Sequence, residues 1–421
     1  MSLPAAALPV LAFMGFKDKY RGQLKGRLGI GLDARAIEGR YPRIWVHALS
    51  LGEANAAVPF IREVAKRWPD AGIICSASTK TGLNVLKDAF AGATRMIIIS
   101  MPFDLPPVIA HFIRRLSPNC LVLVETDLWP NLLWMLRRNR IPALLINGSI
   151  SSRAHSRLKR LGTAFTDLIY GGLSHIAMQS EMDRARLLDL GLPEDRISTV
   201  GNIKYDIKCT EALNPMDKRR KLGLGEDGHV FVAGSTHKGE EAVIFSVFKA
   251  LKKEFATLRL VIAPRDPARG KEVAAIARNL GLAADLRSAG SGKTGADILI
   301  LDTLGELKEC YLVADIAFVG GSLVNACGHN ILEPAACGVP VIFGPNMESF
   351  RYAADTFALK GAGLYVMDAS GLENAVRTLL KDDGRRMEMG RRAKDLIAEN
   401  SGSVIRCIEL LEKYIKRRRF V

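Results

Sequence analysis

Residues 316–350 read IAFVGGSLVNACGHNILEPAACGVPVIFGPNMESF. The run 316–319 is short and apolar, the composition of a buried strand. Gly320, Gly321 and Ser322 then turn the chain where a side chain would obstruct it. A loop through Asn330 enters ILEPAACG, predicted as a helix of about two turns, because Pro334 is tolerated only in a first turn. Gly338 closes that helix, and 339–343 is the next strand. Strand, glycine turn, helix N-terminus and strand in succession build a ligand site in an open α/β sheet, where unpaired amides favour an anion. Glu333, in the first helical turn, is placed to accept hydrogen bonds from sugar hydroxyls beside that anion. A nucleotide offers both parts, a phosphate and a ribose. The same pattern also describes an ordinary βαβ crossover whose glycines only serve turns.

Outward from this stretch the same rhythm fills the chain. Strands are predicted at 44–49, 73–76, 96–100, 121–125, 143–147, 176–178 and 197–200, alternating with helical segments up to the last of them. A second set covers 230–233, 258–263, 298–301, 316–319 and 339–343. Alternating strands and helices argue for an α/β architecture with doubly wound parallel sheets covered on both faces. Periodicity is lost after GNIKYD at 201–206, which marks a domain boundary. The expected division is a segment 1–27, an N-terminal domain 28–206, and a C-terminal domain 207–421 that carries the last helix. A length of 421 residues fits two domains.

Hydrophobic residues at 48% and charged residues at 24% describe a folded globular chain. The net charge of +15 calls for an acidic partner: nucleic acid, an anionic membrane surface or a phosphorylated substrate. Basic and aromatic residues do not interleave and no zinc-finger spacing occurs, so no nucleic acid is expected. Seven scattered cysteines without a CxxC pair are read as reduced thiols. The apolar run 3–16 holds Pro4 and Pro9 and is shorter than the roughly 20 residues a spanning helix needs. Lys17, Lys19, Arg21, Lys25 and Arg27 follow it. An apolar tip with a basic flank suits an anionic leaflet. It also suits a terminus packed on the body.

Several constellations fall where predicted strands end. HALSLGE at 47–53 puts Glu53 at a helix start on the edge that faces a ligand crevice. Glu53 has the chemistry of a general base for an alcohol, and equally that of a helix cap. ETDLWPN at 125–131 puts a second acid, Glu125, on the same edge. AGSTHKGEE at 233–241 offers small residues and Ser235 to a phosphate, or a cap to a helix. Arg265, after the strand 258–263, can brace a phosphate. In LGEL at 304–307 the amides of Gly305 and Leu307 can hold a base or ribose edge. No DxD or HExxH occurs, and His237 and His329 read as isolated, so no metal and no cofactor is expected.

Taken together and in this order, these segments resemble the 3-deoxy-D-manno-octulosonic acid (Kdo) transferases of lipid A assembly. The resemblance also rests on TKTG at 79–82, PFDLP at 102–106, QSEMD at 179–183 and GHNILEPAACGVPVIFGP at 328–345. It implies a GT-B fold, two Rossmann-like domains facing a cleft. It implies inverting, metal-independent transfer of Kdo from CMP-Kdo to a phosphorylated lipid A precursor at the cytoplasmic face of the inner membrane. By motif position Glu53 is the implied general base and Glu125 a second acidic site residue. Ser235, Arg265, Gly305, Gly321, Ser322, Asn330 and Glu333 fall on the implied donor side. The chain departs from the family pattern at Asp127, Ser149, Asp266, Cys327 and Asn346, where Glu, Arg, His, Gly and His are usual. Competing readings are a GT-B enzyme for another activated sugar acid, a nucleotide-sugar epimerase, and a non-catalytic membrane-surface scaffold.

Overall fold

The computed structural model describes residues 23–125, 128–207, 209, 214–290 and 295–417. It divides into two compact units, one running to Asp206 and resuming at Asn400, the other spanning Ile207–Glu399. In the first unit the strands are β1 (Arg43–Ala48), β2 (Gly72–Ala77), β3 (Met96–Ser100), β4 (Cys120–Val124), β5 (Ala143–Gly148), β6 (His175–Met178) and β7 (Ile197–Thr199). They form one sheet in the order β3-β2-β1-β4-β5-β6-β7. All its pairings are parallel. The order reverses direction between β1 and β4, and at such a switch point the loops leaving the two strands diverge and open a crevice. Both faces are covered, and the two-residue period of a strand assigns its side chains to them. Val122 and Val124 pack with Phe60 and Val64, and Leu121 and Leu123 pack on the other side with Phe112 and Leu133. This is why the strands read as continuous apolar runs and not as alternating ones.

The second unit repeats the plan with β8 (Val230–Thr236), β9 (Arg259–Pro264), β10 (Ala284–Leu286), β11 (Ile298–Ile300), β12 (Ile316–Val319), β13 (Val341–Phe343) and β14 (Gly363–Tyr365). The order β10-β11-β9-β8-β12-β13-β14 places its switch point between β8 and β12. The two outermost strands, β10 and β14, were not predicted. Each has three residues, too few to show a period, and β10 has Asp285 at its centre.

Three expectations are corrected here. The last helix, Ser403–Arg417, belongs to the first unit and not to the C-terminal domain. Its Cys407 and Leu411 are fully buried in the cluster that holds Phe60 and Val64. Asp206 caps its start by accepting the amides of Gly402 and Val404, and Arg67 pairs with Glu412 at 2.7 Å. The helix predicted over ILEPAACG is a single turn, Leu332–Ala336, closed as the amides of Cys337 and Val339 bond back to Pro334 O. The cysteines are not all reduced: Cys209 and Cys337, 128 apart in sequence, form a disulfide with a Cα–Cα separation of 5.0 Å.

Among the described residues no helix is long and apolar enough to cross a membrane. The apolar tip 3–16 and Lys17, Lys19 and Arg21 lie outside the described residues, as do Asp127 and the end of the basic cluster at 416–419. Arg27, counted with the basic flank, is instead buried. Its Nε donates to Met101 O at 3.0 Å and its guanidinium lies 4.4 Å from the centre of the Phe103 ring.

Candidate functional site

In the first unit the candidate side chains gather at the carboxyl ends of the strands flanking the switch point. Glu53 is the third residue of the helix Leu51–Arg67, whose N-cap is Ser50. Its Oε2 accepts the amides of Leu49 at 2.5 Å and Ser50 at 3.3 Å, and Ser50 completes the reciprocal capping box. Glu53 is buried. The structure therefore realises the capping role, and the carboxylate stands just beyond the end of β1.

Glu125 follows β4, hydrogen-bonded and parallel to β1, so both acids lie on one edge of the sheet. Its backbone is left-handed at φ 70, as is that of Asn147 at φ 55. A non-glycine residue in that region costs about 1–3 kcal/mol and persists where its surroundings hold it. Here the surroundings are polar. Glu125 Oε1 accepts from Asn147 Nδ2 at 3.4 Å and pairs with Lys204 Nζ at 2.7 Å. Asn147 Oδ1 in turn accepts the amide of Ile203, fixing the turn that carries Lys204. GNIKYD, read as a boundary and as part of the family resemblance, thus places a cation beside Glu125. The available signal was a lone lysine in a polar stretch just after a strand.

Two further motifs have structural duties. Asp104 of PFDLP accepts the amides of Asn131 at 3.1 Å and Leu132 at 2.8 Å, capping the helix Pro130–Arg138 that ETDLWPN opens. Burial outweighs these bonds and raises the Asp104 carboxyl above its ordinary range. Asn202 Nδ2 donates to Gln179 of QSEMD at 2.9 Å.

In the second unit the glycine turn differs from expectation. The amides of Gly321 (2.7 Å), Ser322 (3.1 Å) and Leu323 (3.0 Å) all donate to the carboxylate of Glu240, which also accepts the amide of His237 at 2.9 Å. Glu240 is almost wholly buried. The nest expected to hold a phosphate already holds an internal anion. The Ser322 hydroxyl is likewise spent, donating to Val319 O at 2.5 Å and accepting Gly344 N at 2.8 Å. Gly321 has φ +68, and a Cβ there would meet the His329 ring at 3.0 Å. Gly234 admits a close neighbour too, since a Cβ would lie 2.1 Å from the Tyr311 hydroxyl oxygen.

What remains open to a ligand lies around that turn. Ser235 is left-handed at φ 57, in a register irregularity between β8 and β9. Arg265 is exposed after β9, its amide bonded to Thr236 O. His237 and His329 are not isolated: their Nε2 atoms are 2.7 Å apart and their rings stack at 5.0 Å. Burial first, then the Arg265 and His237 charges, push His329 down to about 4. Asn330 Oδ1 accepts the Leu332 amide at 3.0 Å, and Asn330 Nδ2 donates to Glu333 at 3.3 Å. Glu333 also faces Lys308 at 3.5 Å. Gly305 is exposed with φ 88, beside Glu306, which is held by Arg287 at 2.8 Å.

Among the departures, Cys327 adopts φ 66, a conformation glycine takes without strain. Asp266 accepts the Ala268 amide, and Asn346 Nδ2 donates to Ser322 O. Among the described residues no group of three or more His, Cys, Asp or Glu is arranged to hold a metal ion.

Comparison with known proteins fits this picture. Residues 22–207 match the model of the 3-deoxy-D-manno-octulosonic-acid transferase (kdotransferase) family, and residues 219–396 match glycosyl transferases group 1. The chain is 32% identical over 418 residues to the 3-deoxy-D-manno-octulosonic acid transferase of Haemophilus influenzae, covering 97% of this chain and 96% of that one. The chain belongs to the Kdo transferase family. Its fold is GT-B, shared with a glycosyltransferase from Rickettsia africae at a TM-score of 0.58 and 15% identity, over 90% of this chain and 99% of that one. A putative UDP-N-acetylglucosamine 2-epimerase from Listeria monocytogenes shares it at a TM-score of 0.58 and 12% identity, over 89% and 97%. As a Kdo transferase the chain is a glycosyltransferase, and its acidic edge and histidine–arginine cluster are to be read in those terms.

Proposed function

We propose that this Kdo transferase moves Kdo from CMP-Kdo to a hydroxyl of a phosphorylated lipid A precursor of the lipid IVA type, with inversion and without a metal. The observation that carries the reading is the pair of acids on one sheet edge at the switch point, Glu53 and Glu125, with Lys204 2.7 Å from Glu125. The acceptor hydroxyl oxygen attacks the anomeric carbon. The bond from that carbon to the CMP phosphate oxygen breaks, its electron pair leaves with CMP, and the hydroxyl proton passes to Glu53. General-base help of this kind is typically worth about 100- to 10,000-fold. Glu125 and Lys204 together present a fixed dipole to the reacting groups, which needs no reorganisation as charge develops.

The donor is assigned to the second unit and the acceptor to the first. With the glycine-turn amides held by Glu240, the phosphate is met by Arg265 and the neighbouring His237–His329 pair. Asn330 and Glu333 face the ribose, and Gly305 and Ser235 border the same ligand. Gly321 and Ser322 shape the floor by binding Glu240. The enzyme is placed on the cytoplasmic face of the inner membrane, held by the apolar and basic residues that precede residue 23. The reading is tested by incubating the enzyme with CMP-Kdo and a lipid A precursor and weighing the lipid. A mass gain of Kdo that persists in EDTA is expected. No gain, a gain abolished by EDTA and restored by a divalent ion, or turnover of the nucleotide sugar without acceptor would each overturn part of it.

A further inference from the structure

The amino ends of the first sheet, away from the acidic edge, carry a basic pocket of about 320 Å³. Its walls are the turn 140–142 entering β5, the turn 171–174 entering β6, and the side chains of Arg137 and Arg196. Three arginines line it, Arg137, Arg140 and Arg196, and no acid does. Arg137 Nη1 and Arg196 Nη2 each lie 3.3 Å from the same oxygen, the carbonyl of Gly171. Two guanidinium groups are thus held side by side by one neutral acceptor. Arg196 Nη2 is further fixed by Leu173 O and by Tyr170 O at 3.4 Å. Among the described residues none of the three arginines has a carboxylate within ion-pair distance, although Asp195 is the sequence neighbour of Arg196.

Capping the end of the helix Thr163–Tyr170 and its following turn accounts for the Nη2 bonds of Arg196 to Tyr170 O, Gly171 O and Leu173 O. It does not account for gathering three cations without an acid. A guanidinium has five N–H donors. Among the described residues Arg137 spends only Nη1 and Arg196 only Nη2 on partners. Arg140 spends none of its side-chain donors, and it stands exposed on a left-handed turn at φ 54. Unspent guanidinium donors lining one pocket match the oxygens of a phosphate, which several can share at once.

We propose that this pocket binds a phosphate group, at a site separate from the one that carries out transfer. Its ligand is either a free phosphate-bearing molecule or the headgroup of an anionic lipid. The test uses the full-length protein and two variants, Arg140→Asn, which suits the left-handed turn, and Arg137→Gln combined with it. Inorganic phosphate is titrated against chloride at matched ionic strength and followed by thermal melting. Donor-side contributions are common to all three proteins and cancel in the comparison. Wild type should bind phosphate roughly tenfold more tightly than Arg140→Asn, the loss of one charge-assisted contact set. Vesicles of phosphatidylcholine with and without phosphatidic acid form the second arm. A difference among the proteins only for phosphate assigns a free ligand, and a difference for phosphatidic acid vesicles assigns a headgroup. Equal behaviour of wild type and Arg140→Asn in both arms overturns the proposal, whether or not the double variant folds.

Discussion

Glu53 shows how one side chain carries two duties that a substitution can separate. Glutamine at this position still accepts the Leu49 and Ser50 amides through its carbonyl oxygen, and Glu and Gln both complete a capping box. It cannot take a proton. Glu53→Gln should therefore melt within about 1 kcal/mol of wild type while losing transfer by about 100- to 10,000-fold with CMP affinity kept. Near-normal turnover would leave Glu53 as a cap alone. His329 gives a pH signature. Its folded value of about 4 lies below the ordinary imidazole value, so across that interval the unfolded chain binds a proton the folded chain does not. Stability supplied by neutral His329 is complete above the ordinary value and lost as pH falls towards 4. Urea midpoints between pH 7 and pH 5 should fall more steeply for wild type than for His329→Asn. Parallel slopes would show that the ring is not held neutral by its surroundings.

At the scale of elements, the glycine turn after β12 and the helix Glu240–Lys252 are one construction. Four amides from two loops converge on Glu240. Glu240→Ala strands all four in a buried place, and even one unsatisfied buried donor costs about 1–3 kcal/mol. The variant should lose at least ~3 kcal/mol in denaturant unfolding of the second unit and bind CMP-Kdo more weakly, because the turn carries the His329 loop. Unchanged stability in urea would mean that water or a bound anion replaces the carboxylate. From sequence this turn looked ready for a phosphate. Every feature of an anion nest was legible, but not that the anion comes from the chain itself, four positions after β8 ends. That assignment needs the spatial approach of residues 81 to 83 apart in the chain.

At the scale of the whole molecule, the chain crosses from one unit to the other and returns. The helix Ser403–Arg417 buries Val404, Cys407, Ile408 and Leu411 in the first unit's core. Truncation after Glu399 should destabilise that unit by more than 4 kcal/mol, on the order of two buried aliphatic truncations, and leave the core of the second unit intact. Loss of the second unit's protection in hydrogen exchange, with the first unit's kept, would reverse the assignment. The N-terminal prediction is narrowed by Arg27, whose guanidinium belongs to the body. Deleting residues 1–22 and sparing Arg27 should lower binding to anionic vesicles at low salt and transfer to membrane-embedded acceptor. Transfer to detergent-solubilised acceptor should stay. Equal vesicle binding by the shortened chain would place membrane attachment elsewhere.

The sequence by itself determined the class of fold and the edge of the sheet on which the candidate acids stand. Buried parallel strands are mostly apolar, so β1, β4, β5, β8, β9 and β12 announced themselves, and the residues at or just beyond their ends named Glu53, Glu125, Ser235 and Arg265. The ordered motifs carried the family. The tertiary structure alone decided what each of those residues touches. It joined Lys204 to Glu125, His237 to His329 and Glu240 to the glycine turn, and it gave the last helix to the first unit. It also supplied β10 and β14, which rest on neighbours to their inner side rather than on any period of their own. Local propensity and two-residue or helical periods act over a few positions and are written in the chain. Pairing between residues 79, 92 or 81 apart is fixed only when packing brings the loops together.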